Sequence, residues 1–172
     1  MADILTPELI ARAEQAGIKL EVVNGLPMWE TYPFVRHQKA IYQIQRTITR
    51  IQKSIQPNAD DTACGCYHYA DIYVKFPDGS FKRPDIAIFC TDQVEQDEAV
   101  TKVPEAVIEI VSVGYEAKDL ELGPLFYLAQ GVKDIVVLEP FTGTVIHSRR
   151  NGTVRHVSPA RIVLECDCEV TV

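Results

Sequence analysis

Glu109 is the residue whose type least fits its surroundings. It stands inside Ala106–Val113 (AVIEIVSV), an otherwise almost wholly apolar run that predicts a central strand buried on both faces. An ionised carboxylate there is costly unless it is paired, protonated or bound to a metal. Asp85 is a second acid of this kind, opening the run Ile86-Ala87-Ile88-Phe89. Two carboxylates on neighbouring strands are what a Mg²⁺ site needs, because Mg²⁺ is a hard ion that takes oxygen ligands and keeps several waters. Such an ion lowers the pKa of a bound water and offsets charge on a phosphate during in-line displacement. Each acid also has a plainer reading. Glu109 could be the buried partner of an arginine such as Arg83, and Asp85 could cap a turn.

Cysteine is the other residue type with chemistry to offer. Cys64, Cys66, Cys90, Cys166 and Cys168 make an odd count, which argues against a disulfide framework in a chain read as cytoplasmic. The two C-x-C pairs, with His68 after the first, could build a zinc site if the segments met. Zinc sites more usually show C-x-x-C spacing, so buried inert thiols are the favoured reading. A zinc-stabilised structural module is kept as the alternative.

Charge and length bound the rest. The 172 residues suit a single domain spanning 1–172. The net charge of −7 argues against a protein that coats nucleic acid through its overall charge. Yet Thr31 to Ala59 holds no acid and carries Arg36, Lys39, Arg46, Arg50 and Lys53. That stretch either faces a polyanion such as DNA or is a solvated face balanced by acids elsewhere. No apolar run approaches the roughly 18 residues needed to span a bilayer. The start, MADILTPELIARAEQ, has no basic segment followed by an apolar stretch, so it is read as no signal peptide, and the location as cytoplasmic.

The elements that must position these residues are partly legible. Thr6-Pro7-Glu8 predicts a helix start and Gly17 its end. Ile18–Val23 and Leu26–Trp29 predict a hairpin around Asn24-Gly25. Ile41, Ile44, Ile48, Ile51 and Ile55 form one apolar stripe, which predicts one long helix closed by Pro57-Asn58. Tyr67–Phe76 and Arg83–Phe89 predict strands around a Pro77-Asp78-Gly79 turn. A helix over Pro124–Gln130 and strands over Ile135–Leu138 and Thr144–Ser148 complete a mixed sheet covered by helices.

The ordered set Arg83-Pro84-Asp85-Ile86-Ala87-Ile88, Pro104 to Ser112 (PEAVIEIVS), Asp119, Tyr127 and Gly131-Val132 resembles the Uma-two family of restriction endonucleases. That family lies within the PD-(D/E)xK nuclease superfamily. The upstream segment LEVVNGLPMWETYPFVRHQKAI is similar to its start, with Glu21, Gly25 and His37 at matching positions. The resemblance covers roughly residues 18–150. It implies an α/β, restriction-endonuclease-like mixed β-sheet flanked by helices, and a metal-dependent DNA endonuclease that hydrolyses phosphodiester bonds. Asp85 and Glu109 would bind Mg²⁺, or Mn²⁺ in its place, with the Ile110 carbonyl as third contact. Glu21 and His37 would be accessory. Two copies pairing as a homodimer would cut both strands.

The sequence departs from the pattern at the lysine that normally assists the attack. Two residues after Glu109, on the same strand face, stands Val111. Four residues after Asp119, the family's alternative place, stands Gly123, followed by Pro124. Lys118 is the nearest replacement and Lys82 another, each also readable as an ordinary solvated lysine. A catalytically degenerate nuclease fold that binds nucleic acid or a protein partner is therefore the second functional expectation.

Overall fold

The structure is a computed structural model that describes residues 7–31, 33–51, 63–114 and 118–172. Helix α1 (Pro7–Gln15) precedes the hairpin β1 (Ile18–Val23) and β2 (Leu26–Thr31), and α2 (Val35–Gln45) precedes β3 (Thr49–Arg50). Then come β4 (Tyr67–Ala70), β5 (Val74–Lys75), β6 (Phe81–Lys82), β7 (Ile86–Phe89) and β8 (Ala106–Ile110). A π-helical turn, Lys118–Leu122, leads into α3 (Gly123–Ala129). The chain ends with β9 (Asp134–Glu139), β10 (Thr144–Arg149), β11 (Gly152–Val157), β12 (Arg161–Val163) and β13 (Cys168–Thr171).

Six strands in the order β11-β10-β9-β8-β7-β4 form the central sheet. β8 and β9 run parallel with α3 between them, while β7 and β8 are antiparallel; a parallel pair requires such a crossover. All five residues of β8 are buried, as its apolar run predicts. Alternation along the strand divides the core in two. Ile108 and Ile110 pack with Ile41 and Ile44 of α2 and with Ile162, Leu164 and Val170. Val107 packs on the opposite face, with Ala87, Phe89 and Tyr127 of α3. A second sheet, β2-β1-β6-β5, lies beside this core, and a third is ordered β12-β13-β3.

Local turn chemistry explains the elements that match expectation. Asn24 and Gly25 both have positive φ, 51° and 77°, the conformation a two-residue type I′ hairpin requires. Gly131, at φ 94°, follows α3. The strand expected over Tyr67–Phe76 is broken at Asp71, whose φ is 58°. Arg83 holds that bend, donating from Nε to the Asp71 carbonyl at 3.0 Å and from Nη2 to its carboxylate at 2.9 Å. The second expected strand, Arg83–Phe89, narrows to β7, with β6 ahead of it in a different sheet.

Two expectations are overturned. The long helix ends at Gln45, although Ile41 and Ile44 are buried on its stripe as expected. The Thr47 hydroxyl donates to the Ile44 carbonyl at 2.7 Å and accepts the Thr171 N–H at 2.9 Å. Thr49 and Arg50 then pair with β13, so long-range strand pairing overrides the helical period. Ile55 and Lys53 lie outside the described residues. The thiols are not all free either. Cys64–Cys90 and Cys66–Cys168 are disulfides, and the buried Cys166 is the remaining thiol. The odd count left room for two bridges once the fold brought these segments together.

Candidate active site

The register of β7 and β8 decides where the two acids meet. Ile86 pairs with Ile108 and Ala87 with Val107, so the next pair along the ladder sets Asp85 opposite Glu109. Both are buried, at 5% and 8% relative exposure. The Asp85 N–H donates to Glu109 Oε2 at 3.0 Å, and the Ile110 N–H donates to Asp85 Oδ2 at 2.8 Å. Tyr127 of α3 donates its hydroxyl to Glu109 Oε1 at 2.5 Å. Arg83, the alternative partner for Glu109, instead pairs with Asp71 and Glu14.

Cationic groups surround the pair. Strand β1 turns Leu20 and Val22 toward α1 residues Ile10 and Ala13, so alternation sends Lys19 and Glu21 to the other face. Lys19 Nζ lies 3.6 Å from Asp85 Oδ1. Glu21 accepts the Arg83 N–H at 2.8 Å and pairs with Lys82 Nζ at 3.3 Å. That ammonium sits 5.1 Å from the centre of the Tyr127 ring, within cation–π range. From α2, His37 Nε2 approaches Asp85 Oδ2 at 3.1 Å and the Ile110 carbonyl at 3.2 Å.

These neighbours push the two carboxyls apart. Burial, and then the Asp85 charge, raise Glu109 from the ordinary 4.5 to about 7. Burial also works against the Asp85 charge, but the His37 hydrogen bond and the Lys19 charge outweigh it and hold Asp85 below its ordinary value. His37 is raised in turn: burial opposes its charge, and Asp85 more than compensates. The pair therefore lacks enough positive charge to keep both acids fully ionised at neutral pH. Two convergent carboxylates next to a backbone carbonyl form a hard oxygen donor set, and a divalent cation would supply the missing charge. The residues present fit such an ion.

Asp85, Glu109, Ile110, Glu21 and His37 thus come together from three elements, β1, α2 and β8, and the segment before β7. The side chain of Lys118 lies outside the described residues, although Lys118 opens the π-helical turn next to Asp119. Asp119 is buried and accepts the Ser112 N–H at 3.4 Å. Lys82 corrects the solvated reading, being 3% exposed. Lys19 was not singled out from the sequence. Its signal was present as a lysine two positions from Glu21, hence on the same strand face. Arg36 and Lys39 are exposed on α2, whereas Arg46 and Arg50 are exposed beyond its end. The expected continuous basic helix is therefore replaced by a helix and an adjoining strand.

A family model described as putative restriction endonuclease, Uma2, matches residues 7–166. The chain belongs to the Uma2 family. Among solved structures, one similar to this Uma2 chain is the crystal structure of a putative nuclease belonging to DUF820 from Anabaena variabilis ATCC 29413. The TM-score is 0.60 at 17% identity, over 83% of this chain and 79% of that one. At that identity the likeness shows a shared fold. No curated protein matches the chain. Among the described residues, no helix of this Uma2 protein is long and apolar enough to cross a membrane.

Proposed function

We propose that this Uma2 chain is a divalent-metal-dependent DNA endonuclease that hydrolyses phosphodiester bonds. The observation that carries the reading is the buried opposition of Asp85 and Glu109, one held ionised and the other raised to about 7. Asp85, Glu109 and the Ile110 carbonyl would hold Mg²⁺, with Mn²⁺ able to replace it. When bound, the ion would supply an activated water and offset phosphate charge. Lys19 and His37 anchor the Asp85 carboxylate, and the Tyr127 hydroxyl fixes that of Glu109. Lys82 takes the part of the missing lysine, with its buried ammonium between Glu21 and the Tyr127 ring. From there it stabilises charge developing on the phosphate, a role strengthened by exclusion from water. Lys118 is the second candidate for this part. Exposed Arg36, Lys39, Arg46 and Arg50, with Lys53, would contact the DNA backbone, and pairing of two copies would cut both strands.

One observation favours the degenerate reading. His37 Nε2 already contacts both Asp85 Oδ2 and the Ile110 carbonyl, two of the oxygens an ion would use. A cleavage assay on single- and double-stranded DNA in Mg²⁺ or Mn²⁺ decides between them. The nuclease reading expects cleavage that a chelator abolishes and Asp85→Ala removes. It also expects a loss of about 10²–10³-fold in Lys82→Ala, as when a transition-state donor is removed, and little change in Lys118→Ala. DNA binding without cleavage in either metal would establish the degenerate reading.

A further inference from the structure

The five cysteines gather in one largely buried cluster built from three parts of the chain. Cys64 and Cys66 precede β4, Cys90 follows β7, and Cys166 and Cys168 flank the turn from β12 into β13. Besides the two bridges, Cys64 Sγ lies 3.5 Å from Cys168 Sγ, and the sulfurs of Cys64, Cys166 and Cys168 all lie within 4.8 Å of one another. Four thiolates around zinc, at bonds of about 2.3 Å in a tetrahedron, stand about 3.8 Å apart. The three sulfurs are therefore spaced close to the edges of such a tetrahedron, and Cys66, bridged to Cys168, stands next to them as the fourth. The cluster belongs to the apolar core of Ile86, Ile88, Ile162 and Leu164, with Cys90 partly buried at its edge. Cys90 adjoins the end of β7 opposite Asp85, so the cluster is distinct from the carboxylate pair.

We propose that the reduced chain binds a thiophilic divalent cation of the zinc class through Cys64, Cys66, Cys166 and Cys168, and that oxidation exchanges this ion for the two disulfides. Two C-x-C loops then face each other across the ion, which fastens the β12–β13 hairpin to the start of β4. Gly65 lets the first loop approach closely: its N–H donates to the Cys90 carbonyl at 2.8 Å, and a Cβ there would overlap the Tyr67 ring. The exchange balances with hydrogen peroxide as oxidant. Cys64 and Cys90 lose two electrons in forming one disulfide, and Cys66 and Cys168 lose two in forming the other. Two peroxide molecules take these four electrons and four protons from solvent and become four waters. The proton leaving Cys90 passes to Cys166, and the cation is released.

The test uses the full chain, reduced by a dithiol without oxygen and then freed of small molecules. Titration with Zn²⁺ should reach close to one ion per chain. Co²⁺ should give the thiolate-to-metal charge-transfer and tetrahedral d–d bands of sulfur coordination. Cys90→Ser should keep the ion, and Cys168→Ser should lose it while circular dichroism verifies folding. Adding peroxide to the Zn²⁺ form should release the metal and lower the thiol count, read in denaturant with chelator, from five to one. A folded, reduced wild type that takes up no Zn²⁺ overturns the site whatever Cys168→Ser does, and loss of the ion from folded Cys90→Ser overturns the ligand set. Metal that stays bound under peroxide overturns the exchange. None of these readings depends on nuclease activity.

Discussion

At the residue scale, Glu109 gives the site its own pH signature. Its carboxyl rises from 4.5 to about 7 on folding without metal, through burial and the Asp85 charge. The folded state therefore holds this proton more tightly than the unfolded chain, and stability is lost as pH rises from about 4.5 through about 7. A shift of this size corresponds to about 3 kcal/mol. His37, also raised, acts in the same direction above its ordinary 6.5, so the comparison must isolate Glu109. Urea melts in chelator at pH 4.5 and pH 7.5 should show Glu109→Gln losing less stability across that interval than wild type. Equal slopes would remove Glu109 as the source. The two acids were legible as misfits in apolar runs, because burial of β7 and β8 follows from composition. The burial of Lys19 and Lys82 was not, because apart from the same-face spacing of Lys19 and Glu21 nothing local distinguishes a lysine carried into a core by its sheet from one in water.

The elements show where periodicity succeeds and where it misleads. β8, α3 and the β1–β2 hairpin rest on local signals, an apolar run or a glycine turn, and all three form, although β8 ends at Ile110 rather than Val113. The isoleucine stripe failed because Ile48 packs against the same core from beyond the helix end. The polar link at that end predicts its own cost. Thr47→Ala removes a hydroxyl that bonds Ile44 and Thr171 and should lower stability by about 1–3 kcal/mol in a denaturant melt. The basic residues now divide between α2 and the segment after it. If they meet DNA, Arg46→Glu with Arg50→Glu should weaken binding and reduce the slope of log affinity against log salt. An unchanged slope would make them a solvated face.

Over the whole molecule, the end of the chain was not legible, because β12 and β13 are three and four residues long and β13 takes β3, more than a hundred residues away, as its second partner. Asp134 shows how they attach. Fully buried at the start of β9, it accepts from His147 Nε2 at 2.8 Å, Arg149 Nε at 2.6 Å and the Glu165 N–H at 2.8 Å. Burial opposes its charge, but these donors together hold its carboxyl below the ordinary 3.8. Its contribution is thus present above that value and lost as pH falls through the lower folded one. Asp134→Ala should cost about 3–5 kcal/mol, because Arg149 loses its counter-charge and His147 and the Glu165 N–H lose their acceptor, and its deficit in thermal melts should narrow in strong acid. The Cys66–Cys168 bridge has a different consequence. Both acids and the exposed segment 92–98 lie within the covalent ring it closes. A protease that nicks the oxidised chain once in that segment should leave a single molecule of undiminished mass on a denaturing gel without reductant. The same sample should fall into two fragments when dithiothreitol is added, turning a lane of electrophoresis into a readout of which redox form was cut.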